Sequence, residues 1–170
     1  MEFNVKKRNG KLVPFDAEKI NETLEWAGEG LEGVSPSQAA HNAKIQFFDG
    51  IECSTIQKLL IKSAADLISV DTPDYQYFAG RLLMFDLRKR VFGQYDPDDF
   101  YEHVKGLVEL GRYDSDILVK WSEQEITELG EYINHDLDLK YTYAAMSEWE
   151  SKYLVKDRTT EQHFESPQQA

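Results

Sequence analysis

Four helix-start signals punctuate the first half of this chain, and they restrict the folds open to it more than any other feature. Asp16 is a good N-cap, followed by Glu18 in the first turn and by Ile20, Leu24, Ala27 and Leu31 at helical spacing. Ser35-Pro36-Ser37-Gln38 places a cap, a proline at the first helical position and a glutamine at the capping-box position. Ser54-Thr55-Ile56-Gln57 repeats the box, and Thr72-Pro73-Asp74 opens a fourth start. Gly28, Gly30 and Gly33 end the first helix, and the second fades near Phe48 before an Asp49-Gly50 turn. The third carries Ile56, Leu59, Leu60, Ile61, Leu67 and Ile68 most of the way round, which predicts a central helix. The fourth presents Tyr75, Phe78, Leu82 and Phe85 on one face and ends in Arg88-Lys89-Arg90, cations that suit a helix C-terminus.

Ahead of these helices the period is that of strands. Asn9-Gly10, flanked by short runs, predicts a hairpin with a type I′ turn. Pro14 cannot donate a ladder bond, so its strand is an edge or ends there. A short extended piece from Ile51 to Cys53 could add a third strand. The expectation is a mainly α (α+β) protein. Residues 1–92 form a four-helix bundle capped by a small hairpin or three-stranded sheet. Residues 93–170 add helices at 97–110, around 115–121, from 122 to about 133 and from about 141 to 151, then two short strands joined by a polar turn. The polar ending shows no packing partner.

Charge narrows the function classes. The chain has 19 Lys+Arg against 31 Asp+Glu, a formal net charge of −12, which argues against the basic face that nucleic-acid binding needs. No apolar run approaches the ~18 residues of a membrane span, and Phe3 and Val5 are interrupted by charge where a signal peptide would be apolar. Cys53 is the single cysteine, so there is no disulfide framework, CxxC metal site or redox pair, and a reducing, cytoplasm-like compartment is expected. Yet Lys6, Lys7, Arg8, Lys11 and Lys19 fall within the first twenty residues.

Two readings of that cluster stand side by side. The cations could simply solubilise a turn. Alternatively, Lys7 and Arg8 on a stiff ribbon and Lys19 in the next helix form a phosphate clamp, each charge-assisted contact worth roughly 1.5–3 kcal/mol. No GxxxxGK[ST] or GxGxxG loop is present. Lys89 is explained equally by the helix dipole. Cys53 reads as a small buried residue rather than a nucleophile, and His41, His103, His135 and His163 are too scattered for a metal site. His135-Asp136-Leu137-Asp138 reads as a solvated helix junction, and Trp26 as packing rather than a ligand-stacking ring. No catalytic or metal-ligating set is expected.

The run "VKKRNG…FDAEKI…LEWAGEGL" resembles the ATP-cone, a regulatory nucleotide-binding module. "IQFFDGI…IQKLLIKSAADLISVDTPDYQYFAGRLLMFDLRKRVFGQYDP", "LVELGRYD", "INHDLDLKYTYAA" and "KYLVKDRTTEQHFESPQ" resemble the N-terminus of the large (alpha) subunit of class Ia ribonucleotide reductase, the bacteriophage forms being nearest in character. The resemblance implies a module that binds ATP as activator or dATP as inhibitor, with Mg2+, and so sets overall reductase activity. Its implied partners are the remainder of the alpha subunit, the radical-carrying beta subunit and other alpha subunits, with no membrane or direct nucleic-acid contact. The implied setting is the cytoplasm, the host's if a phage encodes the chain. By the same resemblance Val5, Lys7 and Arg8 match the strand along the nucleotide, Lys19 and Ile20 the first-helix positions near phosphate and base, Ile56 an adenine-contacting position and Lys89 a phosphate-reaching cation.

Four positions depart from the family's pattern: Val13 for Glu, Asp16 for Asn, Cys53 for Thr and Gln57 for His. Val13 loses a carboxylate that could order adenine or ribose, Asp16 puts an anion near phosphates, and Gln57 removes a group implied in telling ATP from dATP. They support an alternative, a degenerate cone serving as an assembly segment of the alpha subunit. The family's active-site cysteines and specificity site are absent from these 170 residues, so no catalytic cofactor and no reduction by this piece alone are expected. The resemblance implies a truncated chain or the amino-terminal piece of a split subunit. A cone-bearing DNA-binding repressor lacks support for want of a zinc ribbon or basic face.

Overall fold

The computed structural model describes residues 3–170. It is 55% helical with a small three-stranded mixed sheet. The elements run β1 (Asn4–Lys6), β2 (Leu12–Pro14), α1 (Ala17–Gly28), α2 (Pro36–Lys44), β3 (Ile51–Glu52), α3 (Cys53–Ala65), α4 (Tyr75–Val91), α5 (Phe100–Glu109), α6 (Asp116–Lys120), α7 (Glu123–Glu131) and α8 (Tyr143–Glu148), with a 3-10 turn at His135–Lys140 and a π turn at Trp149–Tyr153. They form two compact units, one of residues up to 86 with 139–146, the other of 87–138 with 147–170.

In the first unit β1 is the middle strand. It pairs antiparallel with β2 and parallel with β3, in the order β2-β1-β3. Val5 faces Val13 on one side and Ile51 on the other, and its side chain is buried. Pro14 sits on the edge strand, where its missing N–H costs no ladder bond. The turn departs from the expected type I′ form. Gly10 alone takes a positive φ there, +80°, while the N–H of Gly10 reaches the carbonyl of Lys7 at 2.9 Å and the N–H of Lys7 reaches that of Lys11 at 2.8 Å. This is a three-residue loop closed by a glycine bulge, and the Asn9 side chain supports it by accepting from the Lys11 N–H at 3.1 Å.

Asp16 caps α1 through the Glu18 N–H, and Ser35 caps α2 through that of Gln38. The expected box at Ser54 does not form. α3 begins two residues earlier than a Ser54 cap would place it, at Cys53, directly from β3, and the Ser54 hydroxyl turns to the Glu52 carboxylate instead. Continuity of strand and helix has replaced the side-chain cap. The most enclosed helix is α4 rather than α3: Tyr75, Phe78, Ala79, Leu82, Leu83, Met84, Asp86, Leu87 and Arg88 are all buried, whereas Ile68 lies beyond the end of α3 and is exposed. Gly80 explains the close packing of α4 against residues 141–143, since a Cβ there would lie 2.4 Å from the Tyr141 carbonyl oxygen. Arg81 closes the C-terminus of α1 by donating from Nη1 to the carbonyls of Ala27 and Glu29, at 3.1 and 2.7 Å.

The second unit differs most from the sequence expectation. The two C-terminal strands reduce to a single bridge between Lys156 and His163, because Asp157 takes up the backbone N–H groups of Thr159 and Thr160 and turns the chain. The polar ending is packed, not loose: His163, Phe164, Glu165 and Ser166 are buried. Glu165 accepts from the Tyr113 hydroxyl at 2.5 Å and from the Val155 N–H at 2.7 Å, and burial together with this carboxylate raises the Tyr113 phenol. The His135–Asp138 segment is likewise no solvated junction. Asp138 is fully enclosed against Arg88 at 3.5 Å, and Arg88 also donates to the His135 carbonyl.

Candidate functional site

The sequence-predicted residues of the first unit lie on the hairpin and at the starts of α1 and α3. Lys7 and Arg8 stand at the hairpin tip and are exposed, Val5 is buried below them on β1, and Val13 is half-buried on β2. Asp16 and Lys19 open α1, both exposed, with Ile20 half-buried one position on. Cys53, the first residue of α3, is half-buried rather than enclosed, and Ile56 is buried one turn inside. Lys89 lies in the last turn of α4, in the second unit, and is half-buried.

Electrostatics at this corner are not those of a bare cation cluster. Arg8 Nη2 lies 3.3 Å from Oδ1 of Asp86, whose residue is only 4% exposed. Lys19 Nζ lies 3.5 Å from Asp16 Oδ2, and Lys6 Nζ 3.0 Å from Glu52 Oε1. The Lys6 ammonium holds the Glu52 carboxyl below the usual carboxylate range. Three of the five N-terminal cations therefore carry a carboxylate partner, and among the described residues neither Lys7 nor Lys11 forms an ion pair. Asp86 was not singled out from the sequence, where it reads only as one polar residue in an apolar helix. The signal that could have marked it is a carboxylate among Phe85, Leu87 and Leu83, where burial demands a cationic partner.

Gln57 has a partner of its own. Its Nε2 donates to the Leu82 carbonyl on α4 at 3.3 Å, so the side chain ties α3 to α4. Trp26 tilts against Phe85 with ring centroids 5.6 Å apart, consistent with packing. Its outer edge lines an open cavity of about 460 Å³ with Glu22, Glu25, Gly28, Glu29 and Pro36, an acidic surface unsuited to phosphates. The exposed cations of the first unit's N-terminal stretch stand on the hairpin and the first turn of α1, while Val5 and Ile56 are buried and Ile20 half-buried.

Comparison with known proteins gives the family of the chain. The ATP cone domain family matches residues 3–90. Ribonucleoside-diphosphate reductase 1 subunit alpha of Salmonella typhimurium is 48% identical over 96% of this chain and 22% of its own length, and that of Escherichia coli is 46% identical over the same shares. Ribonucleoside-diphosphate reductase subunit alpha of Enterobacteria phage T4 is 46% identical over 98% of this chain and 22% of its own. The chain spans about a fifth of the length of these relatives. It belongs to the ATP-cone family, and along nearly its whole length it corresponds to the N-terminal region of ribonucleoside-diphosphate reductase alpha subunits.

Proposed function

We propose that the first unit is an allosteric adenine-nucleotide site serving a ribonucleoside-diphosphate reductase alpha subunit. The observation that carries this reading is the hairpin tip, which presents Lys7 and Arg8 to solvent, with Lys19 exposed in the first turn of the helix that follows β2, all within the stretch matched by the ATP cone. Lys7, Arg8 and Lys19 take the phosphates, while half-buried Ile20 faces the base and the buried Val5 and Ile56 support that side from beneath. ATP and dATP, each with Mg2+, are the effectors. The activity they tune belongs to a longer protein with its own active-site cysteines, since this chain holds one cysteine alone. Partners on this reading are the rest of the alpha subunit, further alpha subunits and the radical-carrying beta subunit, in the cytoplasm.

Calorimetric titration with Mg-ATP and Mg-dATP tests the reading. Saturable heat from either supports it, and silence from both at millimolar ligand retires it. A second reading has one specific observation behind it: Gln57 is committed to the Leu82 carbonyl, which leaves it poorly placed to discriminate a ribose hydroxyl. The cone would then be an assembly segment. Mixing this chain with the remaining alpha segment would restore a reductase that dATP does not inhibit.

A further inference from the structure

We infer that the anion site is held in a charge-compensated state by Asp86 and Asp16, and that these carboxylates set its affinity and its preference for highly charged ligands. The inference rests on the nucleotide-site reading above and concerns the same corner.

Arg8 and Lys19 are among the cations assigned to phosphate. In the structure each has a carboxylate within ion-pair distance, Asp86 at 3.3 Å and Asp16 at 3.5 Å. The two pairs differ in kind. Asp16 and Lys19 are both exposed, so their attraction is weak and screened. Asp86 is buried on a rigid helix while the Arg8 side chain remains 42% exposed at a hairpin tip. A buried carboxylate cannot move away to accommodate an incoming anion. The guanidinium can, because it sits on a flexible stem with five donors arranged in a fork.

Binding therefore proceeds by sharing or exchange. Phosphate oxygens recruit the outward donors of Arg8 while the Asp86 side chain stays behind them. The Asp86 carboxylate opposes the field that Arg8 presents to the phosphates. The same holds for Lys19 and Asp16. Lys7, which forms no ion pair among the described residues, is then the uncompensated charge of the clamp. Neutralising either aspartate removes a negative charge from beside a phosphate-binding cation, and the benefit grows with the charge of the ligand. A triphosphate gains more than a monophosphate.

The experiment compares Asp86→Asn and Asp16→Asn with the unaltered chain by calorimetry, using ATP, AMP and inorganic tripolyphosphate. Asparagine caps a helix as well as aspartate, so Asp16→Asn preserves the start of α1 while removing its charge. Each variant is expected to bind ATP and tripolyphosphate about threefold more tightly or better, the size of effect a unit charge exerts on a neighbouring anion through largely aqueous surroundings. AMP binding should change less, and the gain should shrink at high salt. Equal or weaker binding of ATP by Asp16→Asn and by a folded Asp86→Asn overturns the inference while leaving the nucleotide site in place. If Asp86→Asn fails to fold, Asp16→Asn decides alone. Silence of the unaltered chain and of both variants overturns the nucleotide reading itself.

Discussion

Arg8 at the tip of the β1–β2 hairpin reaches Asp86 on α4, Nη2 to Oδ1 at 3.3 Å, although 78 residues separate them in the chain. The contact joins the most exposed part of the first unit to its most enclosed helix. It also fixes the direction of a cation that the nucleotide reading assigns to phosphate. A hairpin of three-residue strands has little stability alone, so this anchor and the parallel pairing with β3 hold the ribbon in place.

Removing the hairpin cations should weaken effector binding. Each charge-assisted contact to phosphate is worth roughly 1.5–3 kcal/mol, so Lys7→Ala or Arg8→Ala is expected to raise the Kd for ATP by about 10-fold or more. Trp26→Ala, which alters packing against Phe85 and the acidic surface beyond it, should change the Kd far less. Calorimetry at fixed ionic strength checks the ranking, and equal effects from all three would contradict it.

Gly80 is the most closely approached glycine of the first unit. A Cβ would come within 2.4 Å of the Tyr141 carbonyl oxygen and 3.0 Å of Thr142 and Tyr143 backbone atoms, none of which is a flexible side-chain end. Helix propensity alone favours alanine at such a position by ~1 kcal/mol. Overpacking should outweigh it, giving Gly80→Ala a net destabilisation of about 1–3 kcal/mol in urea unfolding.

Asp138 should give the second unit a distinctive pH response. Burial pushes its carboxyl up to about 6, and the attraction of Arg88 only partly offsets the effect. The folded protein therefore holds this proton when the unfolded chain, near 3.8, has released it. The resulting stabilisation is complete below about pH 4 and is lost as pH rises through about 6. Asp138→Asn cannot lose such a proton, so its stability relative to the unaltered chain should improve between pH 4 and 7. Urea midpoints at several pH values measure that difference, and a difference independent of pH would refute it.

Ser122 and Glu125 form a complete capping box at the start of α7: the Ser122 hydroxyl accepts from the Glu125 N–H at 3.3 Å, and the Glu125 carboxylate accepts from the Ser122 N–H at 2.8 Å. Ser122→Ala should cost about 1 kcal/mol, read as a lower thermal midpoint. The loss should not affect nucleotide binding, because α7 belongs to the second unit.

Local patterning determined where most helices begin and which positions face a core. Caps such as Asp16, Ser35 and Ser122 act within one turn, and apolar spacing expresses burial directly, so Leu24, Ala27, Ile56, Leu60, Phe78 and Leu82 could be placed from the sequence. The cluster of hairpin cations was legible for the same reason, since it is a short-range feature of composition. Tertiary structure decided the rest. The form of the Lys7–Lys11 loop, the start of α3 at Cys53 and the enclosure of residues 163–166 depend on partners distant in sequence. So do the pairings of Arg8 with Asp86 and Arg88 with Asp138, because a charge can leave water only where folding brings its counter-charge alongside, and periodicity along one helix carries no record of that.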